Sequence, residues 1–452
     1  MPTLDEVEET IPPNIATLPS RCRALAEENW ASRMFGSYLR YTPVLWVLGL
    51  LSPLGALMIL RLFQRKTPIR RVCSVTWLWW IVGFMQAVCV LVNGLSKDVS
   101  PGSILYRLVS SPVTGWLLLG LTVEVGRRYR LNSPRLVRGV CILGVYILVL
   151  GLLTLAFAFL TGAADLSVKS PLGMLLPANL PSVQNEFTLR FFVTGHMLGV
   201  SLPRLILFYP WSACLGFAGI AVFFIALQEQ RLAFKAAGVL GGLLAVVGSM
   251  SRAAAVALLL SGSIYLFRKM SRGHQYLVLA VLSAIVAGSI VLNLHPVTVI
   301  SRLNNSITEM REGSTEARQM GYDASWRVFL QSPIVGQGWP GEVLSPDVPM
   351  PVGTHSSIYG VLYTGGLLTF IPFCLAMGWT LFLLFRQSRY GTGERRSALA
   401  IGVSLAILCY GEGIYSFPLP TLFAFCWLGA VLNAPRFDTS TFVIRRARRY
   451  IA

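Results

Sequence analysis

The chain has 452 residues, 54% of them hydrophobic and 13% charged, with a mean hydropathy of +0.63. Soluble domains carry about 25% charged residues, so a soluble globular protein is excluded. The net charge of +18 does not point to nucleic acid, because the cations fall mostly in short connections between apolar runs and form no aromatic-interleaved stripe.

Residues 1–42 are polar and begin with the acidic run Asp5, Glu6, Glu8, Glu9, unlike a cleavable leader. They read as a polar tail whose arginines and Trp30 fit an interfacial helix. Apolar runs follow at 43–62, 74–92, 104–125, 139–162, 205–227, 235–250, 253–267, 277–294, 358–385, 398–412 and 419–432. They suit helices and are too long for barrel strands. Backbone groups in lipid must be satisfied internally, so the expected fold is all-α and polytopic, with 11–12 transmembrane helices in one membrane domain, 43–452. The cysteines form no Cys-x-x-Cys pair and read as small core residues.

Every second connection is basic: Arg65, Lys66, Arg70, Arg71; then Arg127, Arg128, Arg130, Arg135, Arg138; Arg231; Arg268, Lys269, Arg272; Arg386, Arg389, Arg395, Arg396; and the C-terminal arginines. These belong on the cytoplasmic side, which leaves Lys97, 163–204, Ser251–Arg252, a long loop 295–357 and Tyr415 outside. Eleven spans with an internal C-terminus put the N-terminus outside. A missed span, or a first helix broken at Ser52-Pro53, would restore even parity.

Within the long loop, Leu303, Ile307 and Met310, then Trp326, Phe329 and Leu330, recur at helical spacing interrupted by Gly313 and Gly321. Two short amphipathic helices are expected there. The stretch 333–341, with Gly336, Gly338, Pro340 and Gly341, reads as a tight turn.

The chemistry-bearing residues cluster in the external segments. His355, in Gly353-Thr-His355-Ser356-Ser357 just before a span, is a candidate proton acceptor; an interfacial histidine bonded to a carbonyl is the competing role. The glycines around it, Gly360, Gly365 and Gly366, would let another helix or a substrate approach the backbone closely. Arg204 and Arg252 each stand at the start of an apolar run, where a guanidinium faces a polar cavity or an anion, or else snorkels to the headgroups. Arg302, Arg311 and Arg318 lie in the long loop beside Glu309, Glu312 and Glu316; Arg311 suits a salt-bridged surface best. His196 reads as structural. Glu412, at the end of an apolar run, fits a partner for a site arginine, a gating group or a satisfied buried carboxylate. No His-Glu-x-x-His, Asp-x-Asp or Walker loop occurs. External arginines with one histidine fit transfer from a diphosphate leaving group, since guanidinium forks neutralise phosphate charge as the bond breaks. The rival from another class is a transporter, whose usual inverted repeats and discontinuous spans are not detected.

Across about residues 190–430 the sequence resembles the O-antigen ligase and O-antigen polymerase superfamily of bacterial envelope enzymes. The resemblance rests on Leu202-Pro-Arg204-Leu-Ile-Leu-Phe208, Ser251-Arg252-Ala-Ala254, Trp326 followed by Pro333-Ile-Val-Gly336-Gln-Gly338, and His355-Ser-Ser357 with Gly365-Gly366. It implies a GT-C-like helical fold in the bacterial cytoplasmic membrane, with the site facing the periplasm or exterior. It also implies metal-independent transfer, without a cofactor, of a glycan from undecaprenyl diphosphate to a lipid or glycan acceptor hydroxyl. A ligase and a polymerase differ only in that acceptor. His355 maps onto the family's base and Arg204 onto a diphosphate ligand; Arg252, Arg302 and Arg318 are further candidate ligands. Many relatives carry an arginine about four residues before the loop tryptophan. Here Tyr322 stands there and Arg318 lies further back.

Overall fold

The computed structural model describes residues 20–65, 72–131, 133–176, 187–197, 200–271, 273–278, 280–281, 312–345, 348–389 and 391–432. Among them, four helical stretches are long and apolar enough to cross a membrane: α4 (Ser74–Ser96), the run Pro101–Tyr129, α7 (Pro134–Thr161) and α13 (Ser357–Ser388). The second of these is α5 (Pro101–Leu108), a π-helical segment (Val109–Leu117) and α6 (Leu118–Tyr129). Pro112 lies inside the π segment, where a widened turn accommodates a residue that cannot donate to the ladder. After a short helix, α8 (Pro171–Leu175), the shorter apolar helices α9 (Ser212–Ala226) and α15 (Leu422–Leu432) are almost wholly buried, whereas α10 (Leu232–Gly248) buries mainly small residues, Gly238, Gly241, Gly242 and Ala245 among them. With α11 (Arg252–Lys269) and α14 (Gly393–Gly411) they complete an α-helical, multi-pass membrane protein.

The first apolar run is a hairpin. Helices α1 (Ser20–Arg40) and α2 (Thr42–Leu48) lead outward, and α3 (Leu51–Arg65) returns after a bend of 118°. Gly49 makes the bend: its φ is +77°, and its N–H and that of Leu50 donate back to Trp46 and Leu45 carbonyls, a Schellman closure. The break therefore falls before Ser52-Pro53. Trp30 lies under the Arg65 guanidinium at 4.3 Å, so both arms start and finish at one face. This places the start of the first leg beside the basic connections. Residues 20–40, read as part of a polar tail, bury Ala31, Phe35 and Leu39, and Gly36 and Leu39 lie against Gly139 of α7.

Ion pairs and hydrogen bonds tie the basic face together. Glu124, fully buried, binds Arg127 and Arg128; Arg138 binds Glu229 at 2.7 Å; Gln228 donates to Ser397 and Arg268 to Ser388. Between the faces, Trp79 stacks on Trp116 at 5.7 Å, and Phe373 of α13 closes the cluster.

The opposite face carries two small antiparallel sheets. Strands β1 (Asp165–Lys169), β2 (Thr188–Met197) and β3 (Val200–Leu205) pair in that order, Val193 opposite Arg204 and Phe192 opposite Leu205. The Arg204 stretch is thus a strand, and the helix expected from 205 begins at Ser212. Phe192 and Leu205 are buried, so the apolar residues after Arg204 anchor a sheet to the bundle before the span begins. Strands β4 (Val343–Ser345) and β5 (Val348–Pro351) form the second sheet. The long loop contributes those two strands and, before them, one 20-residue helix, α12 (Glu312–Gln331), which runs through Gly313 and Gly321. A Cβ at Gly321 would meet the Met350 methyl, so this glycine serves close packing. The expected first amphipathic segment, with Arg302, lies outside the described residues, as do Arg311 and the side chain of His196.

The turn at 333–338 docks into a break in α13. Gly366 has φ +55° and ψ −160°, leaving the ladder open there. Leu367 and Leu368 donate to the Pro333 and Ile334 carbonyls, while Gln337 and Gly338 donate to those of Tyr363 and Thr364. Asn93 and Gln86 of α4 donate to Gly336 and Gly338 carbonyls at 3.2 and 3.1 Å. The backbone that Gly365-Gly366 admits is therefore the chain's own turn. Gly366→Ala should be strongly destabilising, by about 3 kcal/mol or more, because that dihedral pair is essentially confined to glycine and a Cβ would strike Ile334 and Pro333 backbone oxygens. The unfolding midpoint in detergent checks this.

Candidate functional site

Four separate segments meet on the sheet-bearing face. Arg204, on β3, donates from Nε to the Ser249 carbonyl at 2.9 Å, at the turn between α10 and α11. That turn is tight: Met250 has φ +48°, and Ser251 caps α11 by accepting from the Ala254 N–H at 3.3 Å. Arg252 is the first residue of α11. Its neighbour Ala253 packs beside Gly411, at the end of α14.

Arg318 reaches the same point from α12. Its Nη1 donates to the Gly411 carbonyl at 2.8 Å and its Nη2 to Glu412 Oε1 at 3.0 Å. Glu412 is 5% exposed, so the pair compensates a buried carboxylate. Tyr322, one helical turn after Arg318, is buried and stacks on Tyr359 at 4.6 Å. Its hydroxyl donates to the carbonyls of His355 and Tyr410, each at 3.3 Å. Tyr322 thus packs the site, and the Arg318 guanidinium arrives from one turn earlier on the same helix.

His355 stands with φ +57°, the left-handed region, which costs a non-glycine residue about 1 kcal/mol or more. The serines after it explain how that is held. Ser356 caps α13 by accepting from the Tyr359 N–H and donates to Cys409 O. Ser357 donates to Glu412 O at 2.7 Å and accepts from Ile414 N–H at 2.9 Å. Together they clamp the start of α13 to the end of α14, leaving the imidazole exposed at the rim. Surrounding protein, then Arg318, then Arg204 hold its pKa down to about 4 from the ordinary 6.5. The two guanidiniums are the cause that persists for a ring whose edge is open to solvent. At neutral pH the ring is uncharged and free to accept a proton.

The structure therefore brings Arg204, Arg318 and His355 within electrostatic reach of one another, and Arg252 begins the helix whose next residue, Ala253, packs beside Gly411. Sequence reasoning left Glu412 among three roles; it is the carboxylate partner of Arg318. Tyr322 and Tyr359 were missed, since nothing in a tyrosine's local sequence announces a stacking partner. Among the described residues no group of three or more His, Cys, Asp or Glu side chains is arranged to hold a metal ion.

Residues 236–374 match the family described as O-antigen ligase. The matched stretch runs from α10 past the break in α13, so it contains Arg252, Arg318, Tyr322 and His355. Arg204 and Glu412 lie on either side of it. No curated protein matches the chain.

Proposed function

For this multi-pass membrane protein, whose residues 236–374 match the O-antigen ligase family, we propose the transfer of a glycan from undecaprenyl diphosphate to an acceptor hydroxyl, at the outer face of the bacterial cytoplasmic membrane. The observation that carries this reading is the convergence of Arg204 and Arg318 beside an uncharged His355. Arg204 and Arg318 bring guanidinium charge to the site and Arg252 begins the helix beside it, and guanidinium forks bind diphosphate oxygens bidentately.

In the reaction, the acceptor oxygen attacks the anomeric carbon and its proton passes to His355. The carbon–oxygen bond to the diphosphate breaks, and the leaving group gains a negative charge, stabilised by the arginines. One displacement inverts the anomeric centre, so an alpha-linked donor should yield a beta-linked product; an alpha product would eliminate the single step. The experiment is direct: purified protein, carrier-linked glycan and acceptor should release undecaprenyl diphosphate as the glycan appears on the acceptor. A transporter would release none.

The same electrostatics predict a pH signature. The free site holds His355 at about 4, first because surrounding protein and then because Arg318 and Arg204 disfavour its charged form. Bound diphosphate offsets those arginines and raises the imidazole pKa toward 6.5. Activity requires the neutral ring, so it falls as pH drops through that pKa. The acid limb of kcat/KM for the donor, which reports the free enzyme, should therefore lie at lower pH than the acid limb of kcat. Coincident limbs would remove the coupling.

A further inference from the structure

A second cationic cluster lies apart from these arginines, where α4 ends and α5 begins. Arg107 lies over the Trp339 indole at 3.6 Å, and Lys97 stands 5.1 Å from the same ring. Lys97 also donates to Gln337 Oε1 at 2.8 Å. Among the described residues no carboxylate pairs with either cation, and Arg107 Nη1 is buried with no hydrogen-bond partner. Two like charges on one indole, one with an unmet donor, are costly without an anion between them. Surrounding protein, then Arg107 itself, push the Lys97 amine below its ordinary range, as expected of a cation beside another.

The position says which anion. Helix α4 and the run Pro101–Tyr129 are both long and apolar enough to cross a bilayer, and the cluster sits at their junction on the sheet-bearing face. Leu95 (73% exposed), Leu105 (63%) and Ile334 (65%) lie within three residues of Lys97, Arg107 and Gln337 in the chain, exposed apolar side chains that suit acyl chains. An aromatic and two cations over such a surface form a headgroup-level site.

We propose that Lys97, Arg107 and Trp339 bind the phosphate of an anionic lipid headgroup in the leaflet that the sheet-bearing face borders. The Arg107 fork takes two phosphate oxygens, Lys97 a third, and the indole holds both cations in place. This does not depend on the glycan-transfer reading.

The test measures retention of dioleoyl phosphatidate and dioleoyl phosphatidylcholine by the full chain in neutral detergent. Phosphatidate should be held on the order of tenfold more tightly. R107Q and K97Q should each largely erase that preference, and R107K should keep most of it. Lys97 is exposed, so K97Q is informative even if R107Q unfolds. Equal retention of the two lipids, or an unchanged preference in K97Q, overturns the proposal. Competition by inorganic phosphate at an affinity equal to that of phosphatidate overturns it too, by assigning the site to a soluble anion.

Discussion

His355→Ala should lower glycan transfer by roughly 10²–10⁴-fold, the usual contribution of a positioned proton acceptor, while the affinity for the carrier-linked donor holds. In the proposed reaction the imidazole takes the acceptor proton, and the diphosphate is assigned to guanidiniums on other elements. Ser356 and Ser357 pin the segment independently of the ring, so the unfolding midpoint should hardly move. Replacing a left-handed His355, φ +57°, by glycine relieves backbone strain and removes the base, so His355→Gly should be at least as stable as alanine and equally inactive. Single-turnover transfer and equilibrium donor binding, measured side by side, decide the matter. A loss confined to donor binding would assign the ring to recognition.

Arg318→Ala should cost both stability and donor affinity. It strands the Glu412 carboxylate, 5% exposed, without its ion-pair partner. A fully buried pair broken this way costs 3–5 kcal/mol; with the Arg318 side chain 29% exposed, about 2–3 kcal/mol is expected. It also removes one of the charges assigned to the diphosphate. Arg318→Ala with Glu412→Gln separates the effects. The amide no longer needs a counter-charge, so the double variant should recover much of the unfolding midpoint while its donor KM stays raised on the order of tenfold or more. Recovery of both quantities would make Arg318 a purely structural residue.

The roles of these residues were unevenly legible. Arg204, Arg252 and His355 stand out because a charged or titratable group beside an apolar run is conspicuous in any sequence. Arg318 was ambiguous, because acidic neighbours within the same loop offered an equally good local pairing. Its partner, Glu412, lies 94 residues further on, and no periodicity links the two. The β3 strand was hidden for a related reason: Leu205, Ile206, Leu207 and Phe208 are as apolar as the helix that follows. A membrane-facing run and a sheet anchored to the bundle have the same composition.

Sequence alone determined the solvent and the order of crossing. Apolar runs of span length dictate helices because lipid offers no partner for backbone polar groups, and the basic connections mark one face because charge is cheap there. Tertiary structure decided where the chain turns and what meets there. Gly49 could be suspected of bending the first run, but Leu207, Met250 and His355 adopt positive φ, at 53°, 48° and 57°, without the glycine that usually signals it. Those conformations are unfavourable locally and persist only where surrounding contacts hold them, as the Ser356 and Ser357 bonds do beside His355. The convergence of guanidiniums on one imidazole is accordingly a property of packed neighbours, which no short stretch of sequence encodes.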